Sequence, residues 1–401
     1  MHTIVLHSLR QDSLECQGEH YPVYFGEFWT AKQRQAQAIH EISYRACFKP
    51  QLPRLFIERF TQPGDIVYDP FAGRGTTAIE AALLGRAPIS NDCNPLSELL
   101  TAPRLLPPTL SEVEDRLKLI PRHGGTEDGL DLSMFYQAKT EAEIRAMRSY
   151  LMDRSQTRRL DSIDQWIRMA ATNRLTGHSP GFFSVYSLPP NQAVSAERQR
   201  GINAKRNQVP TYRDTHTLIL KKTKDLLKNL SQEQVDNLRR AAEKAQFLTS
   251  DAASTRSIRN ASVQLTVTSP PFLDVVQYAK DNWLRCWFCG LDAEKTGRSI
   301  TMAKTLPKWE AFIAGVFREL YRVTRPGGFV AFEVGEVRQG QVRLEEAVLP
   351  IGINAGFQTI GVLINEQQFT KTSQCWKVRN NHQGTNSNRI VLFTRANHGV
   401  R

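Results

Sequence analysis

Two stretches of the chain alternate short apolar runs with helical periodicity, and the rhythm is lost between them. Residues 1–62 hold aromatics and a polar, Gln-rich stretch, Thr30 to Gln37, ahead of the apolar run Leu52 to Phe60, which reads as a helical approach to the core. Pro63-Gly64-Asp65 then makes a turn, and Ile66-Val67-Tyr68 reads as a short buried strand. Asp69-Pro70-Phe71-Ala72-Gly73-Arg74-Gly75 breaks that strand before a helical pattern from Thr76 to Leu84. A second strand, Ala87 to Ser90, ends at Asn91-Asp92, roughly 20 residues after the loop, where a nucleotide-binding βαβ unit carries its acidic residue.

From about Leu105 to Ala245 the alternation gives way to polar helices, a Gly/Ser/Pro/aromatic stretch (Thr176 to Asn191) and basic segments, which together read as an inserted, mainly helical module. The rhythm resumes with Gln246 to Leu248 ahead of Asp251, and with Gln264 to Val267 running into Thr268-Ser269-Pro270-Pro271-Phe272. Further strands are expected at Phe329 to Val334, Gln358 to Ile364 and Arg389 to Phe393. The expectation is an α/β protein with a seven-stranded, doubly wound, Rossmann-like sheet. Residues 1–104 and 246–401 would form its two halves, and residues 105–245 the insertion. Such a sheet binds ligand at the carboxyl ends of its strands, where the glycine loop, Asp92, Asp251 and the Ser-Pro-Pro segment would converge.

Charge sharpens this picture. The 401 residues carry a formal net charge of +12, which favours a polyanionic partner. The basic excess is concentrated between Arg154 and Lys228, where Arg198, Arg200, Lys205, Arg206, Arg213, Lys221, Lys222 and Lys224 interleave with Phe182, Phe183, Tyr186 and Tyr212. Phosphate contact explains this mixture better than a solvated face. No apolar stretch approaches the length of a membrane span and Met1 to Arg10 lacks a signal-peptide core, so a cytoplasmic protein is expected. Cys286 and Cys289 form a lone C-x-x-C with no second ligand pair, and core packing is expected there instead of a metal.

The glycine loop opens with an acid and has no P-loop lysine, so it suits a cationic ligand group better than a triphosphate. S-adenosylmethionine fits. Its ammonium and sulfonium are positive, its ribose hydroxyls want an acid, and glycines let the backbone approach closely. Asp69, Asp92 and Asp251 supply three acids. In Ser269-Pro270-Pro271-Phe272 two prolines cannot continue a ladder, so the chain must leave the sheet there with rigid geometry and free carbonyls.

Asp69-Pro70-Phe71-Ala72-Gly73-Arg74-Gly75-Thr76-Thr77 together with Ser269-Pro270-Pro271-Phe272 resembles the amino-methyltransferases of bacterial restriction-modification systems, and most of all their N4-cytosine branch. The matching motifs span about residues 45–105 and 245–395, and the module between them is similar in placement to the family's target recognition domain. The resemblance implies that the last strand is antiparallel, that Asp69 and Gly73 hold the methionine part of S-adenosylmethionine, Asp92 the ribose hydroxyls and Asp251 the adenine amino group. Phe71, Gly75 and Thr76 complete the loop, and Lys49-Pro50 resembles a further cofactor-side motif. Ser269 and the Pro270 carbonyl would accept the two hydrogens of the target amino group, with Pro271 stiffening the turn and Phe272 stacking on a flipped base. The implied partner is double-stranded DNA, with a cognate restriction endonuclease beside it in a prokaryotic cell.

No Pro-Cys dipeptide is present, which excludes the cysteine nucleophile of carbon-5 methylation. The order of glycine loop, insertion and Ser-Pro-Pro resembles that of many adenine-modifying relatives. N6-adenine therefore stays open beside N4-cytosine, as does RNA in place of DNA.

Overall fold

The computed structural model describes residues 10–28, 36–44, 47–188, 193–271, 278–299, 303, 305–334, 336–337, 342–365 and 388–397. Its strands are β1 Arg10–Cys16, β2 Glu19–Gly26, β3 Ile66–Asp69, β4 Ala87–Asn91, β5 Gln246–Leu248, β6 Val263–Thr268, β7 Thr324–Val334, β8 Glu336–Val337, β9 Val342–Arg343, β10 Gln358–Asn365 and β11 Asn388–Thr394. The helices that position the site are α1 Gln51–Phe60, α2 Thr76–Leu83, α3 Leu96–Thr101, α4 Leu110–Leu119, α5 Ala138–Gln156, α6 Ser162–Thr172, α7 Ala196–Arg206, α8 Thr215–Leu227, α9 Gln232–Ala242, α10 Tyr278–Cys289, α11 Ala293–Ser299, α12 Leu306–Val323 and α13 Leu344–Asn354.

Among the described residues nine strands join one sheet in the order β1-β2-β10-β11-β7-β6-β3-β4-β5, while β8 and β9 form a separate antiparallel pair. The seven expected strands are all in it, and β11 runs antiparallel to both neighbours. Among the described residues the count of seven rises to nine because residues 10–26, where no strand was expected, form a hairpin, while the expected helical approach Leu52 to Phe60 is α1. Gln17 and Gly18 at its turn both take positive φ, 54° and 79°, which matches the twist of a tight hairpin. The hairpin lies against β10 in parallel register, Val23 opposite Val362. Gly361 is needed there, since a Cβ would meet the Pro22 carbonyl oxygen at 2.7 Å.

Every residue of β6 is buried, as expected of a parallel strand covered on both faces. On one face Tyr68, Val330, Phe332, Val362, Val391 and Phe393 pack under α12 and α13, with Phe317 of α12 edge-on to Phe393 at 5.3 Å between ring centroids. On the other, Val67, Leu265, Val267, Ala331 and Leu392 pack under Leu52, Phe56 and Ile57 of α1. Each such large side chain contributes about 1.5–3 kcal/mol by leaving water. Leu238 and Ala241 of α9 pack with Ile79 and Leu83 of α2 and so extend this second layer. The inserted helices have their own core around Trp166, Ile167, Phe135 and Ile219, which Leu284 and Phe288 of α10 complete. Cys286 and Cys289 are buried on α10, with Cys289 Sγ 3.3 Å from Thr172 Oγ1.

Strand order reverses between β3 and β6. From β3 the chain proceeds outward through β4 to β5, and from β6 it proceeds the other way through β7, so the loops leaving β3 and β6 diverge and open a crevice at their carboxyl ends. Gly75, the N-cap of α2, sits in this crevice with φ 72°. A side chain there would both strain the backbone and overlap the Thr101 side chain of α3. Gly75→Ala is therefore expected to cost at least about 2 kcal/mol in urea unfolding. Adding Thr101→Gly should recover only the steric part of that loss, and full recovery would show that the left-handed backbone is not needed.

Candidate active site

The crevice is built from four strand ends. Asn91, the last residue of β4, fastens three of them. Its Nδ2 donates to the Pro70 carbonyl (3.1 Å) and the Ser250 carbonyl (3.0 Å), while its Oδ1 accepts from the Ser250 amide at 3.1 Å. The Asn91 carbonyl accepts from the Ala72 amide, and Gly75 N–H closes the loop onto the Ala72 carbonyl at 2.7 Å. The glycine loop is thus set against β4 and β5 before any ligand is considered.

Asp69 ends β3 and is 1% exposed. Its Oδ1 accepts from Thr268 Oγ1 at 2.6 Å and from the Phe71 amide at 3.1 Å, whereas Oδ2 is buried without a hydrogen-bond partner among the described residues. Burial pushes this carboxyl up to about 6, against the pull of the Thr268 and Phe71 bonds and the nearby Thr77 hydroxyl. An orphaned carboxylate oxygen at a strand end wants a cation. Asp92 follows β4 and accepts from Gly73 N (2.8 Å) and Asn94 N (2.9 Å), so it shapes the loop as well as charging it, and burial raises its pKa too. Asp251 is exposed beyond β5, its Oδ1 accepting from the Ala253 amide. Gly73, at φ 53°, lies under the Tyr44 ring, which an added Cβ would meet at 3.4 Å. Thr76 is buried at the start of α2, and the Phe71 ring lies 6.0 Å from that of Phe312. Pro50 is the N-cap of α1, and burial pulls the half-buried Lys49 below its ordinary pKa.

These acids, the glycines and the unpaired Oδ2 fit a ligand with a cationic amino-acid end and a ribose, and no lysine stands in the loop to receive a triphosphate.

Ser269 and Pro270 leave the end of β6 on the other side of the crevice. The Pro271 carbonyl accepts from the Trp309 indole Nε1 of α12 at 3.0 Å, which fixes the exit path. Phe272 lies outside the described residues. Beside Ser269 stands a group that sequence reasoning missed. In the parallel register Thr268 faces Phe332, which brings Glu333 of β7 level with Ser269, whose nearby hydroxyl pulls against the rise of the acid's pKa. Glu333 is buried, bonded to Asn388 Nδ2 of β11, and pushed up to about 7 by loss of water. A glutamate inside the apolar run Phe329 to Val334 was its signal in the sequence.

An irregular segment, residues 36–44 and 47–48, fastens the crevice to the inserted helices through side chains on its carbonyls. Arg74 donates to Ile42 O, fully buried Arg104 to Ile39 O and Arg74 O, and Lys222 of α8 to Glu41 O. Lys222 is therefore withdrawn from the set of phosphate contacts. It occupies the buried face of α8 with Ile219, Thr223 and Leu226, and burial depresses it to about 7. Arg198, Arg200, Lys205, Arg206 and Lys221 are exposed, and Arg213 is half-buried. Arg206 stacks 3.7 Å over the Tyr186 ring, and Arg200 pairs with Asp131 at 2.8 Å. A cavity of about 230 Å³ lined by Pro63, Arg86 and Lys244 opens near the amino ends of β3 and β4, away from these groups.

Residues 6–97 match the family described as DNA methylase. Among individual proteins, the type II methyltransferase M.MjaII of Methanocaldococcus jannaschii is 33% identical over 76 residues, 19% of this chain and 14% of that protein. The type II methyltransferase M.BsoBI of Geobacillus stearothermophilus is 21% identical over 280 residues, 65% of this chain and 54% of that protein. The chain thus spans only about half, or less, of the length of these relatives. Among solved structures, a Thermus thermophilus protein described as a putative DNA modification methylase, in complex with S-adenosyl-L-methionine, is 22% identical over 37% of this chain and 54% of its own, with a TM-score of 0.24. An S-adenosylmethionine-dependent methyltransferase of Methanosarcina mazei is 9% identical over 85% and 97%, with a TM-score of 0.33.

The raised Glu333 carboxyl has a consequence for stability. Between about pH 5 and about pH 7 the folded protein keeps a proton that the unfolded chain has released, so stability falls as pH rises through this window, by at most about 1.4 kcal/mol per pH unit for one group. Glu333→Gln removes that share, while Asp69 contributes equally to both proteins. Urea titrations at the two ends of the window should show a smaller loss in the variant, and equal losses would mean that Glu333 is not raised.

Proposed function

We propose that this chain is a site-specific DNA methyltransferase that uses S-adenosylmethionine and modifies the exocyclic N4 of cytosine in a base turned out of the duplex. The observation that carries the reading is Ser269 at the end of β6, level with buried Glu333 of β7 and across the topological switch point from the glycine loop. Asp69, Gly73, Asp92 and Asp251 are the residues to hold the cofactor, with Phe71, Gly75 and Thr76 shaping the loop and Lys49-Pro50 at its flank. When bound, S-adenosylmethionine supplies a methyl group on a positively charged sulfur that leaves readily.

The work left to the protein is on the base. An aromatic amino nitrogen has its lone pair delocalised into the ring and attacks poorly until acceptors hold its hydrogens and favour a tetrahedral nitrogen. With Glu333 beside it to take its hydroxyl hydrogen, Ser269 keeps its oxygen lone pairs to accept one amino hydrogen. The Pro270 carbonyl accepts the other, and Phe272 stacks on the ring. As the N–C bond forms, the surplus proton passes from nitrogen to Ser269 Oγ while the Ser269 proton passes to Glu333. A carboxyl near 7 is matched to that exchange. No covalent enzyme intermediate is required, and positioning and electrostatics supply the rate.

The exposed cations Arg198, Arg200, Lys205, Arg206 and Lys221, with Arg213 behind them, are the phosphate-facing group, and the inserted helices serve as the target recognition module. The type II naming of both relatives supports a cognate restriction endonuclease as partner, in the cytoplasm of a prokaryotic cell.

Ser269→Ala should keep cofactor and DNA binding close to wild type and slow methylation on the order of a hundredfold, the scale of one lost transition-state hydrogen bond. Mass spectrometry of digested product DNA should yield N4-methylcytosine; N6-methyladenine would transfer the reading to the adenine branch, and near-normal turnover by the variant would contradict the role of the hydroxyl. Affinity for duplex DNA should also fall steeply with salt, each phosphate contact adding about 0.9 to the log-log slope. Charge reversal at Lys205 and Arg206 should flatten it, and an unchanged slope would leave these two residues as a solvated face.

A further inference from the structure

Thr268 has no part in the chemistry described so far, yet it makes the 2.6 Å bond that crosses the switch point, from the end of β6 to the end of β3. Both partners are out of water, Thr268 at 0% and Asp69 at 1% exposure. Oδ1 of Asp69 is engaged by this hydroxyl and the Phe71 amide, which leaves Oδ2 as the oxygen without a partner among the described residues. The strand under the bond is itself fixed from α2, whose Thr77 hydroxyl donates to the Val267 carbonyl at 3.1 Å.

We propose that Thr268 is a positioning residue for the cofactor: by holding Asp69 Oδ1 it fixes the carboxylate so that Oδ2 meets the cationic amino-acid end of S-adenosylmethionine. The inference rests on the cofactor reading above. It ties the two halves of the site together through adjacent residues, Thr268 orienting the acid on the cofactor side and Ser269 serving the base. A hydroxyl donated to a carboxylate favours its ionised form, and here it opposes burial. The other titratable groups facing Asp69 are Asp92 from the end of β4, which pushes its pKa in the same direction as burial, Cys47 from the segment ahead of α1, and Tyr68 on its own strand.

The test uses the full chain and calorimetric titration with S-adenosylmethionine. Thr268→Val preserves shape and removes the hydroxyl, so Asp69 should hold its proton to higher pH. Binding should weaken on the order of tenfold near pH 7, and the deficit should narrow to about threefold near pH 9, where the acid ionises again. Thr268→Ser should restore wild-type affinity at both values. A packing role would lower the unfolding temperature without a pH-dependent deficit in binding. The proposal is overturned if the valine variant folds and binds as the wild type does, or if serine fails to rescue. Should valine prevent folding, Thr268→Ala removes the same hydroxyl without a second β-branch and should show the same deficit in binding; wild-type affinity in that variant overturns the proposal. Failure of the wild type itself to bind the cofactor would instead remove the cofactor reading, and the proposal with it.

Discussion

Two carboxyl groups taken out of water at neighbouring strand ends constrain everything around them. A buried carboxylate without compensation costs several kcal/mol, so each must be given donors or must keep its proton. Here Thr268 of β6 bonds Asp69 of β3, while Glu333 of β7 is bonded by Asn388 of β11 and lies level with Ser269, the residue after Thr268. The central strand therefore acts as a spacer between two acids, one on each flank of β6. Asn91 then fixes the loops after β3 and β5 against β4, and Trp309 fixes the path after β6.

The basic charge is divided between two uses. Arg74, Arg104 and Lys222 turn inward and donate to backbone carbonyls of an irregular segment that has no ladder of its own. Arginine suits this because one planar guanidinium reaches several carbonyls, and Arg104 reaches those of Leu100, Ile39 and Arg74. The cost is visible in Arg104 itself, which burial pulls down to about 9. A formal charge of +12 thus overstates what the surface can offer to a polyanion.

Most of the sheet could be read from the chain because parallel strands covered on both faces are continuous apolar runs closed by turn residues, as in Ile66 to Asp69 and Phe329 to Val334. The glycine loop and the Ser-Pro-Pro turn were legible for the same reason: their backbone demands restrict residue type. The first hairpin was not. Arg10–Cys16 is an edge strand with mostly exposed side chains, and its turn is Gln17-Gly18, a weaker signal than Asn-Gly. Glu333 was missed because cross-strand neighbours follow from register, which one strand does not reveal. Lys222 was misplaced because residue type alone was considered, although its spacing from Ile219 and Leu226 puts it on the inner face of α8.

The interleaving of the sheet also dictates an order of assembly during synthesis. Val67 pairs with Leu265, and Val23 with Val362, so the first strands to leave a ribosome cannot be buried until distant ones follow. The helices between them share a core that Leu284 and Phe288 of α10 complete, so they too wait for residues beyond β6, and the β3-α2-β4 unit must be shielded meanwhile. A nascent chain ending short of Val263 would already contain the whole glycine loop, yet Asp69 would have no Thr268 to receive it. Ligand competence would therefore arrive in a single late step, when β6 slots in beside β3.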